Sequence, residues 1–299
     1  MGSNWTLTLL TLMTTVFLSL GFSILSNDYL FGLMKYFPVF KSITHYDGPA
    51  EISNAPTDPT TTMLPTLEQM MYYNYYTSSM YCPYDLKNLS CEYCVKFKKD
   101  VNKLTVLRND THNTLALVTL SEKRKEIVVT YRGSTNFWNF FLDFYAIDMI
   151  DVETRTSALR GIKIHRGFYI ATMSLYKDVV AAVGYLRSIK RRYAKYKLVI
   201  CGHSLGGAMA RVTQYFLHSL NQFSGVKLEV YTYGEFRSGN KAYVDYMNKL
   251  SDVTARIVSR ADIIAHLPPT KALRSGDPYL HKSHTCLPKE SFIKFFQQR

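Results

Sequence analysis

The chain has 299 residues, 47% hydrophobic and 20% charged, the balance of a packed globular protein and not of a disordered one. Lys and Arg number 36 against 23 Asp and Glu, a net charge of +13; residues 1–63 hold two basic and four acidic side chains, so the remainder carries +15. The length fits one large domain behind an N-terminal extension. No fixed period of repeats is present, which excludes solenoids and propellers, and no zinc-finger spacing, RNP-type motif or basic zipper points to nucleic acid. The charge instead predicts attraction to polyanions such as an anionic membrane.

Leu7 to Leu25 holds no charged residue. Its length falls between a signal-peptide core and the shortest membrane-spanning helix. Residues 1–27 therefore read as a signal peptide or an uncleaved signal anchor. The expected destination is the secretory pathway, as a secreted protein or one held by a single pass through residues 7–25. Residues 28–63 read as a linker or prosegment, rich from Thr44 to Pro65 in Pro, Thr, Asp and Asn. The catalytic-type domain is expected over residues 64–299. Asn88-Leu89-Ser90 and Asn109-Asp110-Thr111 are glycosylation acceptor motifs, consistent with that compartment.

Thr66 to Cys82 opens with a helix-start signal, Thr66 and Glu68, followed by apolar residues at helical spacing. Cys91 and Cys94 form a single C-x-x-C with no second pair. Zinc therefore lacks ligands, and a short-loop disulfide is expected in an oxidising compartment. Thr114 to Leu120 and Glu126 to Tyr131 are β-rich runs joined by a charged turn, a predicted hairpin. A long amphipathic helix is expected over Gly167 to Arg192. Leu198 to Cys201 reads as a strand covered on both faces, with Cys201 a buried free thiol. Gly206 to Leu220 reads as a helix, Leu228 to Tyr233 and Ala255 to Ser259 as further strands. Cys82 and Cys286 are left as a second disulfide pair. Strands alternating with long helices predict an α/β fold with a mainly parallel central sheet and helices on both faces.

Gly202-His203-Ser204-Leu205-Gly206 has a strand before it and a helix after it, the context that a nucleophile elbow requires. The turn is tight enough that side chains flanking Ser204 would collide with strand or helix, hence the glycines. A serine hydroxyl needs a base, and in this architecture the partners follow in the order Ser, Asp or Glu, His. His266, His281 and His284 are the histidines far enough downstream of Ser204. Among the acids beyond it, Asp262 falls just past a strand end, where a catalytic group belongs. Asp245 and Asp252 read as helix-surface and turn residues, and His266 as a turn-fixing histidine.

Across residues 66 to 286 the sequence resembles the fungal class 3 triacylglycerol lipases, the group of the Rhizomucor and Thermomyces enzymes. The resemblance rests on Tyr131-Arg132-Gly133-Ser134, His165-Arg166-Gly167-Phe168, the Gly202 to Ala208 elbow, Thr232-Tyr233-Gly234-Glu235, and Asp262 through Pro269. It implies an α/β-hydrolase fold and matches both cysteine pairs, Cys91 with Cys94 and Cys82 with Cys286. It implies Ser204 as nucleophile, Asp262 as orienting acid, and Leu205 N–H and Ser134 as oxyanion donors, with Arg132, His165 and Gly167 as structural supports. Asn136 to Phe144 falls where the family carries its lid: Asn136, Phe137, Trp138, Phe140, Phe141 and Phe144 make an aromatic flap for an oil–water interface. The base is His281 in this reading, although nineteen positions after Asp262 is shorter than the family's usual spacing. His284 as the base, or loss of the base, stays open. The expected activity is hydrolysis of lipid esters without metal or organic cofactor, by a monomer at an oil–water or membrane interface. Alternatives are a phospholipase, a feruloyl-type esterase, or a lipid-binding protein without turnover attached to a membrane through the N-terminus. Nucleic acid is not an expected partner.

Overall fold

The computed structural model describes residues 65–135, 148–152, 159–258, 265 and 267–268, all within the unit Glu51–Arg299. Helix α1 (Leu67–Ser79) starts at Thr66, whose hydroxyl accepts from the Gln69 amide while the Gln69 side chain accepts from the Thr66 amide. This reciprocal box satisfies two of the amides a helix start leaves orphaned. Its partner is Gln69, not the neighbouring Glu68 of the sequence signal.

The hairpin forms as β2 (Thr114–Ser121) and β3 (Glu126–Tyr131). Strand β1 (Lys103–Asn109), which the sequence reading did not contain, pairs outside it. A short ribbon of β4 (Met149–Asp151) and β5 (Lys163–His165) leads into α2 (Arg166–Ile189). That helix stops short of Arg192 because Lys190 turns extended and Arg191–Lys195 forms a 3-10 turn. Next come β6 (Lys197–His203), α3 (Leu205–Ser219), β7 (Leu228–Tyr233), α4 (Lys241–Asn248) and β8 (Val253–Ile257), the last two residues earlier than expected.

The six-stranded sheet runs β1-β2-β3-β6-β7-β8. The first two pairings are antiparallel and the last three parallel. Alternating side chains serve two cores. Leu117, Val128, Val199, Cys201, Tyr231 and Ala255 face α1, where Tyr73 lies against Tyr231 at 4.3 Å and Tyr76 stacks on Phe97 at 3.8 Å between ring centroids. The opposite face carries α2 and α3, and there Tyr131 meets α3 through the Thr213 hydroxyl at 2.9 Å. From Leu205 to Leu217 α3 is buried all round, and its polar side chains Arg211 and Gln214 are satisfied by partners beneath it, Glu235 and Asp252. No described helix is long and apolar enough to cross a membrane; residues 7–25 lie outside the described residues, as do the linker, the lid segment 136–144, Asp262, His266, His281, His284 and Cys286.

Candidate active site

Ser204 stands between β6 and α3 at φ 56° and ψ −123°. A side chain at positive φ costs of order 1–3 kcal/mol and persists where its surroundings over-determine it. Here the Ser204 amide donates to the Tyr233 carbonyl at 2.9 Å, and the Ser204 carbonyl accepts from Gly207 at 2.9 Å and Ala208 at 3.2 Å. The glycines are required by space. A Cβ on Gly202 would lie 2.1 Å from the Gly206 carbonyl oxygen, and one on Gly206 would lie 2.3 Å from that of Tyr131. The elbow and the exit of β3 are therefore pressed against each other.

That exit leads to Ser134. A Cβ on Gly133 would meet the Tyr81 hydroxyl at 2.1 Å and the His203 carbonyl at 2.7 Å, so the backbone before Ser134 touches the elbow directly. The Ser134 hydroxyl is buried and has no hydrogen-bond partner among the described residues. Buried polar atoms are rarely left without one. Leu205, 8% exposed, opens α3, and its amide belongs to the four that a helix start leaves without an internal acceptor. The described backbone thus brings the Gly133–Ser134 turn against the elbow that carries Ser204 and Leu205.

The expected supports take structural roles. Arg132 donates to the Asn113 carbonyl at 2.8 Å and its side-chain oxygen at 2.7 Å. His165, fully buried, accepts through Nδ1 from the Gly167 and Phe168 amides and so caps α2. Glu235 lies beneath α3, taking the Thr232 hydroxyl at 2.6 Å and facing Arg211 at 3.4 Å.

Asp262 itself lies outside the described residues, but the strand that leads to it does not. His203, Tyr233 and Ile257 are in register across β6, β7 and β8, so the exit of β8 sits two strands, about 10 Å, from the elbow. Asp245 pairs with Lys241 on the exposed side of α4, as a helix-surface acid should. Asp252 does more than turn the chain, accepting from Gln214 at 2.7 Å and contacting His218 at 2.6 Å. The lid residues Asn136, Phe137, Trp138, Phe140, Phe141 and Phe144, and the base His281, fall outside the described residues.

Tyr81 and His203 were not legible as site residues. The Tyr81 hydroxyl bonds His203 Nδ1 at 2.7 Å, and burial raises its pKa above the ordinary tyrosine range. This pair ties the end of the first helical region to the elbow across 122 positions, and no local pattern encodes such a contact. Cys91 and Cys94 form the expected disulfide, with Cα atoms 5.1 Å apart. Cys201 is the expected buried free thiol, its pKa pushed up to about 12 by burial. Cys82 is a half-buried free thiol, and Cys286 lies outside the described residues. Asn88 is exposed, whereas the Asn109 amide donates to the Ser174 carbonyl at 3.3 Å.

A family model for lipase (class 3) matches residues 128–272, a span that runs from β3 through the elbow to beyond β8. Over this span the chain is homologous to the class 3 lipases. Among curated relatives, a lipase of Rhizomucor miehei is 28% identical over 71% of this chain and 58% of its own length. A secreted mono- and diacylglycerol lipase of Fusarium solani is 32% identical over 52% of this chain and 43% of its own. The chain thus spans about half the length of these class 3 relatives. A solved triacylglycerol lipase, described as having a serine-protease-type triad at its catalytic centre, superposes with a TM-score of 0.64 at 26% identity, covering 77% of this chain and 84% of its own. A lipase of Rhizopus microsporus var. chinensis superposes with a TM-score of 0.61 at 27% identity, over 78% and 80%. The α/β-hydrolase architecture is the one the sequence predicts.

Proposed function

We propose that this chain is a serine hydrolase of acylglycerol esters, with triacylglycerol the leading substrate and mono- and diacylglycerols next. The observation that carries the reading is the positive-φ Ser204 in an elbow pressed against Gly133, whose neighbour Ser134 has a buried hydroxyl with no partner among the described residues. Ser204 attacks the acyl carbonyl while His281 takes its proton, and Asp262 holds the resulting imidazolium. The Ser134 hydroxyl and Leu205 amide meet the charge that develops on the carbonyl oxygen, each donor worth about 3 kcal/mol in such sites. The imidazolium gives its proton to the departing glycerol oxygen as the ester C–O bond breaks, leaving the acyl-enzyme; water activated by the now neutral histidine then releases the acid and restores the serine. The reaction uses these side chains alone.

The segment 136–144 serves as the aromatic lid, and residues 1–27 deliver the protein to the secretory pathway. The Fusarium solani relative, named as secreted, supports the second point. Of the two acceptor asparagines, Asn88 suits a glycan better, since its side chain is exposed while that of Asn109 is engaged. Cys82 pairs with Cys286 once secreted.

The test is hydrolysis of emulsified triolein, diolein and a short p-nitrophenyl ester by the full chain and by Ser204→Ala, His281→Ala and His284→Ala. Loss with Ser204→Ala and His281→Ala, and a preference for the emulsion, is the expected result. Turnover that survives His281→Ala but not His284→Ala would move the base. A folded protein without turnover on any ester would leave the lipid-binding alternative.

A further inference from the structure

Two arginines, Arg256 buried and Arg237 half-buried, grip the backbone just beyond β8. Arg256, 5% exposed, stands on β8 in register with Thr232 of β7. Its Nη2 donates to the Ala265 carbonyl at 2.9 Å and to the Glu235 carbonyl at 3.3 Å. Arg237 donates through Nη1 to the Pro268 carbonyl at 2.8 Å, while its own amide donates to the Leu267 carbonyl at 2.7 Å. Three described positions after β8 are therefore held: Leu267 and Pro268 by Arg237 directly, and Ala265 through Arg256, which also bonds the Glu235 carbonyl.

That stretch continues from Tyr233, whose carbonyl accepts the Ser204 amide at 2.9 Å, and from Gly234, whose amide donates to the Ile257 carbonyl at 2.9 Å. Ser204 and the described positions Ala265, Leu267 and Pro268, which follow Asp262 in the sequence, therefore share one frame. Burying a guanidinium costs several kcal/mol unless its donors are satisfied. Charged donors on carbonyls also make stronger bonds than neutral ones. A guanidinium spans two carbonyls at once through a rigid fork; an ammonium is a point charge on a flexible stem.

We infer that Arg256 and Arg237 are positioning residues of the hydrolytic site, fixing Ala265, Leu267 and Pro268, the described positions that follow Asp262 in sequence, against the frame that carries Ser204. The inference rests on the assignment of Asp262 as the orienting acid. Catalytic geometry tolerates little error, and a displacement near 1 Å costs about 100-fold in rate.

The experiment uses the full chain with Arg256→Gln, Arg256→Lys and Arg237→Gln, and compares triolein kinetics with amide hydrogen exchange. Arg256→Gln should lower kcat by about 10- to 100-fold with KM within twofold. It should also speed exchange over residues 260–270 and leave β6 and β7 protected. Arg256→Lys, which keeps the charge and one bond, should fall between, and it carries the test if the Gln variant does not fold. Unchanged exchange over 260–270 would overturn the clamp. Faster exchange with unchanged kcat would overturn the positioning role. So would a kcat loss accompanied by faster exchange in every strand, or an Arg256→Lys no better than Arg256→Gln. A wild type that neither turns over nor is phosphonylated at Ser204 would sink the hydrolase reading and the positioning role with it, while exchange would still report on the clamp.

Discussion

The two ends of β6 lie about 20 Å apart and are built on opposite rules. At the Lys197 end, Glu126 and Glu229 are buried, and all four of their carboxylate oxygens are engaged. Glu126 takes Arg124 at 2.8 Å, Tyr73 at 2.8 Å and Lys197 at 3.3 Å; Glu229 takes Lys197 at 2.9 Å, Lys227 at 3.0 Å and Tyr231 at 3.1 Å. At the His203 end, a strained serine sits beside a buried hydroxyl with no described partner. The saturated end ties α1 to the sheet. The other end keeps the Ser134 hydroxyl without a described partner, which costs stability and is what the proposed reaction requires of an oxyanion donor.

Breaking the elbow should have the largest effect. Gly202→Ala places a methyl 2.1 Å from a backbone carbonyl with nowhere to move, so neither folded yield nor esterase activity should survive at wild-type expression temperature. Gly184→Ala in α2, where nothing lies within 4 Å, is the matched control and should express normally or be stabilised by up to about 1 kcal/mol. Parallel purification and thermal melts of the pair measure this.

Ser134→Ala sharpens the contrast from the catalytic side. The hydroxyl has no described partner to lose, so Tm should hold within about 1 °C, while kcat on triolein drops roughly 100- to 1,000-fold with little change in KM. A Tm loss of several degrees with intact kcat would assign the hydroxyl a structural bond instead.

Glu229→Gln sharpens it from the other end. It leaves Lys197 half-paired in a buried site, a loss of roughly 3 kcal/mol, with kcat unchanged at temperatures where the variant is folded. Burial alone would raise the Glu229 pKa, but Lys197 and Lys227 outweigh it and hold the carboxyl below its ordinary value. A depressed folded-state pKa means the stabilisation is complete above the unfolded carboxylate range, near pH 4.3, and is lost as pH falls through the folded value. Wild-type Tm should therefore drop below about pH 4 more steeply than that of Glu229→Gln, by scanning calorimetry across pH 3 to 7.

The elbow was legible because its constraint is local. Ser204 needs glycines at fixed offsets, between an apolar strand and a helix, and those requirements fall within about ten consecutive residues. The same holds for the Cys91–Cys94 disulfide, the β2–β3 hairpin and the capped start of α1. β1 was missed because it is an edge strand with one face in water. Its alternating exposure gives a weak local signal, and its existence depends on pairing with β2. Tyr81 on His203, Glu126 with Lys197 and Glu229, and Arg256 on Ala265 were decided by tertiary structure alone. In each case the partners come from elements that meet after the sheet has closed, and a charged or phenolic side chain has the same local pattern whether it faces solvent or a buried carbonyl. The sequence by itself therefore determined where the elbow serine stands; the assembled sheet determined what holds that serine, and the described backbone beside it, in place.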